Sequence, residues 1–151
     1  MPKCNCKAFN NHSEFQHEVI KIVPFRDKGH STEYRYTNRS SDHLSKYRVD
    51  GGLIADDDKK CDFLLLNCEK KQSYFIELKG SDISTAIEQI DRSIDLLKNH
   101  LPDFTFFARI VVTRVNTPQL EISNKFLRIK KKVESLNGNL KIGTKLLEET
   151  V

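Results

Sequence analysis

The clearest pattern in the chain is a pair of short apolar runs separated by a polar break. Phe63-Leu64-Leu65-Leu66 follows Asp62, and Tyr74-Phe75-Ile76 leads into Glu77-Leu78-Lys79, with Glu69-Lys70-Lys71-Gln72 between them. Short, nearly continuous apolar runs are what strands covered on both faces look like. A hairpin is therefore predicted, with strands over 62–67 and 73–78 and a turn at 69–72. Downstream, Ile83, Ala86, Ile87, Ile90, Ile94, Leu97 and Leu101 recur at three- and four-residue steps. That spacing predicts a helix over 82–100, capped by Asp82 or Ser84 and stopped by Pro102. From 104 to 115 the pattern alternates, with Phe106, Ala108, Ile110 and Val112 on one face and Phe107 and Val111 on the other. A helix between two strands makes their pairing parallel and the crossover right-handed.

The flanks read less sharply. Ser13 followed by Gln16 resembles a capping box, while Val19-Ile20-Lys21-Ile22-Val23 favours a strand. Both readings stay open up to Pro24, which is expected to break whatever precedes it. Tyr34-Arg35-Tyr36-Thr37 alternates like an exposed strand, 41–47 is expected to hold a helical turn, 48–52 a turn, 53–55 a short strand and 56–60 a charged turn. Beyond a loop at 116–124, Phe126, Ile129, Val133 and Leu136 mark a basic helix over 126–136. Residues 137–139 form a turn, and 140–147 a final strand, alone or running into a short helix. The sum is an α/β fold with a mixed central β-sheet flanked by helices. It forms a single domain over 1–151, with its core at about 48–115 and an N-terminal extension of helix and loops over 1–47.

Composition permits this but adds little. A chain of 151 residues with 38% hydrophobic and 30% charged residues suits one soluble domain with a thin core. No apolar run approaches the roughly 20 residues of a membrane span, and Met1 to Cys6 carries no apolar signal region. The expectation is a cytoplasmic protein with no membrane partner. The net charge of +4 tolerates a nucleic-acid partner without demanding one. Its distribution says more, since Arg26, Lys28, Arg35, Arg39, Lys46 and Arg48 dot one segment and Lys125, Arg128, Lys130, Lys131 and Lys132 another. The cysteines Cys4, Cys6, Cys61 and Cys68 lack the spacing of zinc-binding pairs. Reduced, unpaired thiols are expected, and a zinc site from Cys4 and Cys6 with His12 or His17 is the alternative.

The chemistry concentrates on the hairpin. Glu77 and Lys79 lie two apart and so share a strand face, and Asp62 heads the neighbouring strand. Two carboxylates beside an ammonium suit a hard divalent cation, Mg2+ or Mn2+. Asp62 and Glu77 are the candidate ligands, with the backbone carbonyl of Leu78 as a third. Leu78 is expected to turn into the core while its neighbours point out. Lys79 is the candidate to orient or deprotonate a water and to stabilise developing charge. The plainer alternatives are an exposed Glu77–Lys79 ion pair on an unrelated α/β domain and an Asp62 that caps a turn. His30 and His43 can be solvated or contact phosphate. Tyr34 and Tyr36, with Arg35, can line an exposed strand or stack on bases.

Asp62, Glu77-Leu78-Lys79, the apolar strands that carry them and the helix that follows with Gln89 together resemble the PD-(D/E)xK nuclease superfamily, over roughly 48–115. The resemblance implies a restriction-endonuclease-like core and a magnesium-dependent endonuclease that hydrolyses phosphodiester bonds in DNA. Gln89 would reach toward the site from its helix. Compact members that resolve junctions work as dimers, so a homodimer is an expected form. No separate recognition domain fits in this length, which points to a structure-selective, repair or defence role. DNA is the expected partner, with RNA as the alternative, and Arg48, Lys125, Arg128, Lys130 and Lys131 are the candidate contacts. The chain departs from the pattern where Cys61 replaces a frequent proline. For the early helical acid that often completes the metal site, Glu14 and Glu18 are candidates, and Asp50 in the turn is the alternative. Some members only bind, so an inactive nucleic-acid- or protein-binding module is the competing reading.

Overall fold

The computed structural model describes residues 9, 12–26, 31–50, 52–53, 60–79, 82–114 and 124–151. Its strands are β1 (Ser13–Glu18), β2 (Ile22–Arg26), β3 (Glu33–Thr37), β4 (Leu44–Arg48), β5 (Phe63–Asn67), β6 (Gln72–Lys79), β7 (Thr105–Val112), β8 (Leu140–Thr144) and β9 (Leu146–Thr150). The helices are α1 (Ile83–Leu97), extended by a 3-10 turn at Lys98–His100, and α2 (Asn124–Ser135). Six strands form a central sheet in the order β1-β4-β5-β6-β7-β8, and three form a smaller one in the order β2-β3-β9. The fold is mixed α/β.

The strongest local signals give the central elements. β5 and β6 pair antiparallel, and β6 pairs parallel with β7 from Gln72↔Thr105 to Lys79↔Val112, as a helical crossover requires. Alternation sends Phe75, Phe106, Ala108 and Ile110 to the face covered by Ile87, Ile90 and Ile94 of α1 and Ile129 and Val133 of α2. Each isoleucine buried there stabilises the fold by about 1.5–3 kcal/mol. Phe63, Leu65, Ile76, Leu78 and Val111 go to the other face, where Val23, Phe25, Tyr34 and Tyr36 cover them. Helices thus flank one face only, and the small sheet covers the other.

That second layer overturns several expectations. Ser13–Glu18 and Ile22–Arg26 are strands, not a helix, so the N-terminal extension contributes β1 to β4, with β4 inside the central sheet. Pro24 does not end β2 but sits within it, opposite Arg35. β2 is an edge strand, where a residue without an N–H loses no ladder bond. Tyr34 and Tyr36 are fully buried rather than exposed, because the polar residues between them put both rings on the face toward the central sheet. Residues 44–48 are β4 in place of a helical turn. The tail splits at Lys145, which has φ 65°. Before it, β8 joins the central sheet beside β7, and after it β9 crosses to pair parallel with β3. Gly138 permits the turn that starts β8, since a Cβ there would lie 1.7 Å from the Phe106 carbonyl oxygen.

Cys68 is disulfide-bonded, which corrects the expectation of unpaired thiols. Cys61 is free and buried. The predicted strand at 53–55 and loop at 116–124 lie largely outside the described residues. No helix among the described residues is long and apolar enough to cross a membrane.

Candidate active site

The start of β5 against the end of β6 creates the site. Phe63 pairs with Ile76, and Asp62, just before β5, lies close enough to Glu77 for its charge to bear on that carboxyl. Three backbone contacts hold Asp62 between its neighbours. Its Oδ2 accepts the Leu78 N–H at 2.9 Å, its N–H donates to the Ile76 carbonyl at 3.1 Å, and its carbonyl accepts the Val49 N–H at 2.9 Å. A carboxylate just before a strand can take up an amide that the ladder would leave unpaired, and here it also links the loop before β5 to the end of β6.

Glu77 does not point out to solvent as expected. It is 2% exposed, and its Oε1 has no hydrogen-bond partner. Lys79 Nζ stands 3.8 Å from Oε2, beyond hydrogen-bond distance, so the lysine neutralises the carboxylate only in part. Burial pushes the Glu77 carboxyl up to about 9, and the charges of Asp62 and, less, Asp50 add to the rise. Lys79 and the Asp62 backbone amide pull the other way. A buried orphan oxygen facing a second carboxylate is costly unless a proton or a cation joins it. An exposed surface ion pair is therefore not what Glu77 and Lys79 form.

α1 supports the site from behind. Gln89 Nε2 donates to the Lys60 carbonyl at 3.2 Å. One turn on, Ser93 Oγ accepts the Cys61 N–H at 2.8 Å and donates to the Gln89 carbonyl at 2.7 Å. Gln89 thus reaches the backbone leading into Asp62, and its Oε1 is buried without a partner. Sequence reasoning missed Ser93. Its signal was a hydroxyl among Ile90, Ile94 and Leu97 on the apolar face of the helix. Burial pushes the Cys61 thiol upward, which keeps it protonated beside the two acids.

The other candidates separate. Glu14 lies on β1 and pairs with Lys46 at 2.9 Å. Glu18 pairs in register with Leu44, at the opposite end of β4. Neither sits on a helix or at the site, so of the three acids considered Asp50, just past β4, is the one whose charge bears on Glu77. His43 stacks on His17 at 4.2 Å and bonds Glu69 at 2.6 Å, beyond the far end of the same strands. His30 lies outside the described residues. The Arg48 guanidinium rests 5.2 Å from the Phe63 ring centroid. On α2, Lys125 reaches Ser84 at 3.2 Å and pairs with Glu88, and Lys132 bridges Asp91 and Asp95. Arg128, Lys130 and Lys131 are exposed.

Among the described residues, no group of three or more His, Cys, Asp or Glu side chains is placed to hold a metal ion. The zinc alternative through His12 or His17 therefore finds no such group there, and Cys4 and Cys6 lie outside the described residues. A hard cation that keeps several waters needs only one or two carboxylates. The orphan Oε1 of Glu77 beside Asp62 suits that smaller demand. Compared with models of known protein families, with curated proteins and with solved structures, the chain matches none.

Proposed function

We propose that this protein is a divalent-metal-dependent phosphodiesterase acting on nucleic acid, DNA first, with a restriction-endonuclease-like core of the PD-(D/E)xK type. The observation that carries the reading is the closeness of Asp62, bonded to the Leu78 N–H, to Glu77, on which its charge bears, with Lys79 on the same strand face as Glu77. The antiparallel β5–β6 pair followed by α1 and a parallel β7 supports the fold assignment.

Asp62 and Glu77 would hold Mg2+ or Mn2+, with the Leu78 carbonyl as a third oxygen. When bound, such an ion polarises a phosphoryl oxygen and lowers the pKa of a water. The chain's own groups do the rest. The Leu78 amide fixes the Asp62 carboxylate. Glu77, sunk beneath the edge, puts its carboxyl in a low-dielectric setting, where electrostatic effects are stronger than in bulk water. Lys79 brings an ammonium to the attacking water and to the charge on the phosphoryl oxygens. Gln89 acts on the backbone before Asp62 through the Lys60 carbonyl.

The test is nicking of supercoiled plasmid, branched DNA and structured RNA with and without Mg2+ or Mn2+. Wild type should cut only with metal. Glu77→Gln and Lys79→Ala should each abolish cutting without lowering the melting temperature. Cutting that survives in both variants would place the chemistry elsewhere. That no group of three His, Cys, Asp or Glu side chains gathers among the described residues fits one second reading, a non-catalytic binding module. Salt-sensitive retention of nucleic acid with no cutting under any metal would select it.

A further inference from the structure

β4, β6, β7 and β8 of the central sheet all run toward the side where Glu77 sits, and a basic residue stands at or within two residues of each end. β4 and β6 run in the same direction, because both are antiparallel to β5. β7 and β8 follow β6 in parallel, with Lys79, Val112 and Thr144 in register across the three strands. β4 ends on Arg48 and β6 on Lys79, Arg114 follows two residues after β7, and Lys145 follows directly on β8. The Lys145 N–H donates to the Val112 carbonyl at 2.7 Å, so that station abuts the end of β7. Arg48, Arg114 and Lys145 are exposed, and none forms an ion pair among the described residues. On α2, by contrast, Lys125 and Lys132 are taken up by acids of α1, and the helix runs away from this edge, ending near the start of β7.

We propose that this edge is a docking track for a nucleic-acid backbone, in which Arg114 and Lys145, on the strand ends beside the acids, neutralise phosphates. Strands about 4.8 Å apart make the distance from β6 to β8 about 10 Å. At one phosphate per 3.4 Å along each strand of a duplex, that covers about three base pairs. Arg48 pairs in register with Phe63, level with Ile76 and three residues short of Lys79, and its guanidinium rests on the Phe63 ring, so it lies outside the track. A backbone held by Arg114 and Lys145 starts beside Lys79 and Glu77, at the candidate site. The proposal rests on the nuclease reading for the meaning of that placement, but holding the backbone requires neither metal nor cleavage.

The experiment measures fluorescence anisotropy of labelled duplex DNA and RNA in EDTA over a salt series. It compares wild type, an Arg114→Gln/Lys145→Gln double variant and a Lys130→Gln/Lys131→Gln double variant. The edge variant should bind several-fold more weakly, and its log–log salt slope should be shallower by about 2, at about 0.9 per phosphate contact. The α2 variant should keep the wild-type affinity and slope. An edge variant that matches wild type, or an α2 variant that loses as much, overturns the track. If wild type nicks DNA while the edge variant binds normally, the track fails and the nuclease reading stands. If wild type neither binds nor cuts, both fail.

Discussion

Ser93 Oγ on α1 accepts the backbone N–H of Cys61 at 2.8 Å, one residue before Asp62. With the Gln89 bond to the Lys60 carbonyl, this pins the strand entrance to the helix through two consecutive residues. Neither bond uses a charged group, so the clamp is insensitive to salt and to a bound cation.

Ser93→Ala should therefore leave the buried Cys61 N–H unpaired and cost about 1–3 kcal/mol, or roughly 3–9 °C in melting temperature. Thermal unfolding by circular dichroism measures it. A Ser93→Ala variant that melts within a degree of wild type would mean the clamp bears no load.

Glu77 makes stability depend on pH in an unusual direction. Its folded value of about 9 lies above the ordinary 4.5. The folded chain therefore holds the proton more tightly than the unfolded one. That preference stabilises the fold fully below about 4.5 and is lost as pH rises through about 9. Glu77→Gln, which cannot ionise, should match wild type near pH 4 and exceed it increasingly toward pH 9. Urea unfolding at a series of pH values reads the difference. A variant less stable than wild type at pH 8 would show that Glu77 is stabilised by something other than its proton.

Cation binding should relieve the same cost. At pH 8, millimolar Mg2+ is expected to raise the wild-type melting temperature, EDTA to reverse the rise, and Glu77→Gln to respond to neither, by ligand linkage to the folded state. Equal shifts in both proteins would assign the ion to another place.

On the opposite face, Glu149 of β9 accepts from buried Arg109 of β7, from Tyr34 Oη at 2.7 Å and from Lys141 Nζ at 3.0 Å. Burial pushes this carboxyl up, but the bonds and charge of Arg109, with Tyr34 and Lys141, outweigh it and leave it below the usual range. Its contribution is present above the unfolded value near 4.5 and lost as pH falls through the folded one. Glu149→Gln should strip a buried guanidinium of its counter-charge and cost about 3 kcal/mol at pH 7, with the gap closing in acid. Chemical denaturation at pH 7 and in acid measures both, and a constant gap across pH would remove the charge from the explanation.

The hairpin of β5 and β6, the extent of α1 and the two faces of β7 were legible because each is written in a local period of apolar residues that tertiary contacts only reinforce. Even the split between Phe106, Ala108 and Ile110 on one side and Phe107 and Val111 on the other follows from alternation alone. Pro24 and the Tyr34–Thr37 stretch misled because their meaning depends on partners distant in the chain. A proline is tolerated only once its strand is an edge, and a tyrosine strand is buried only once β9 and the central sheet enclose it.

The chain alone thus determined which residues could meet at the site, Asp62, Glu77 and Lys79, because strand alternation dictates which positions share a face. Tertiary structure decided the rest. The bonds of Asp62 to the Ile76 carbonyl and the Leu78 N–H bring it beside Glu77, and packing buries the Glu77 carboxyl to 2% exposure. The sheet order brings Lys79, Arg114 and Lys145 to one edge from positions 66 residues apart at the extremes. Pairing and burial are non-local, so no window of the sequence contains them.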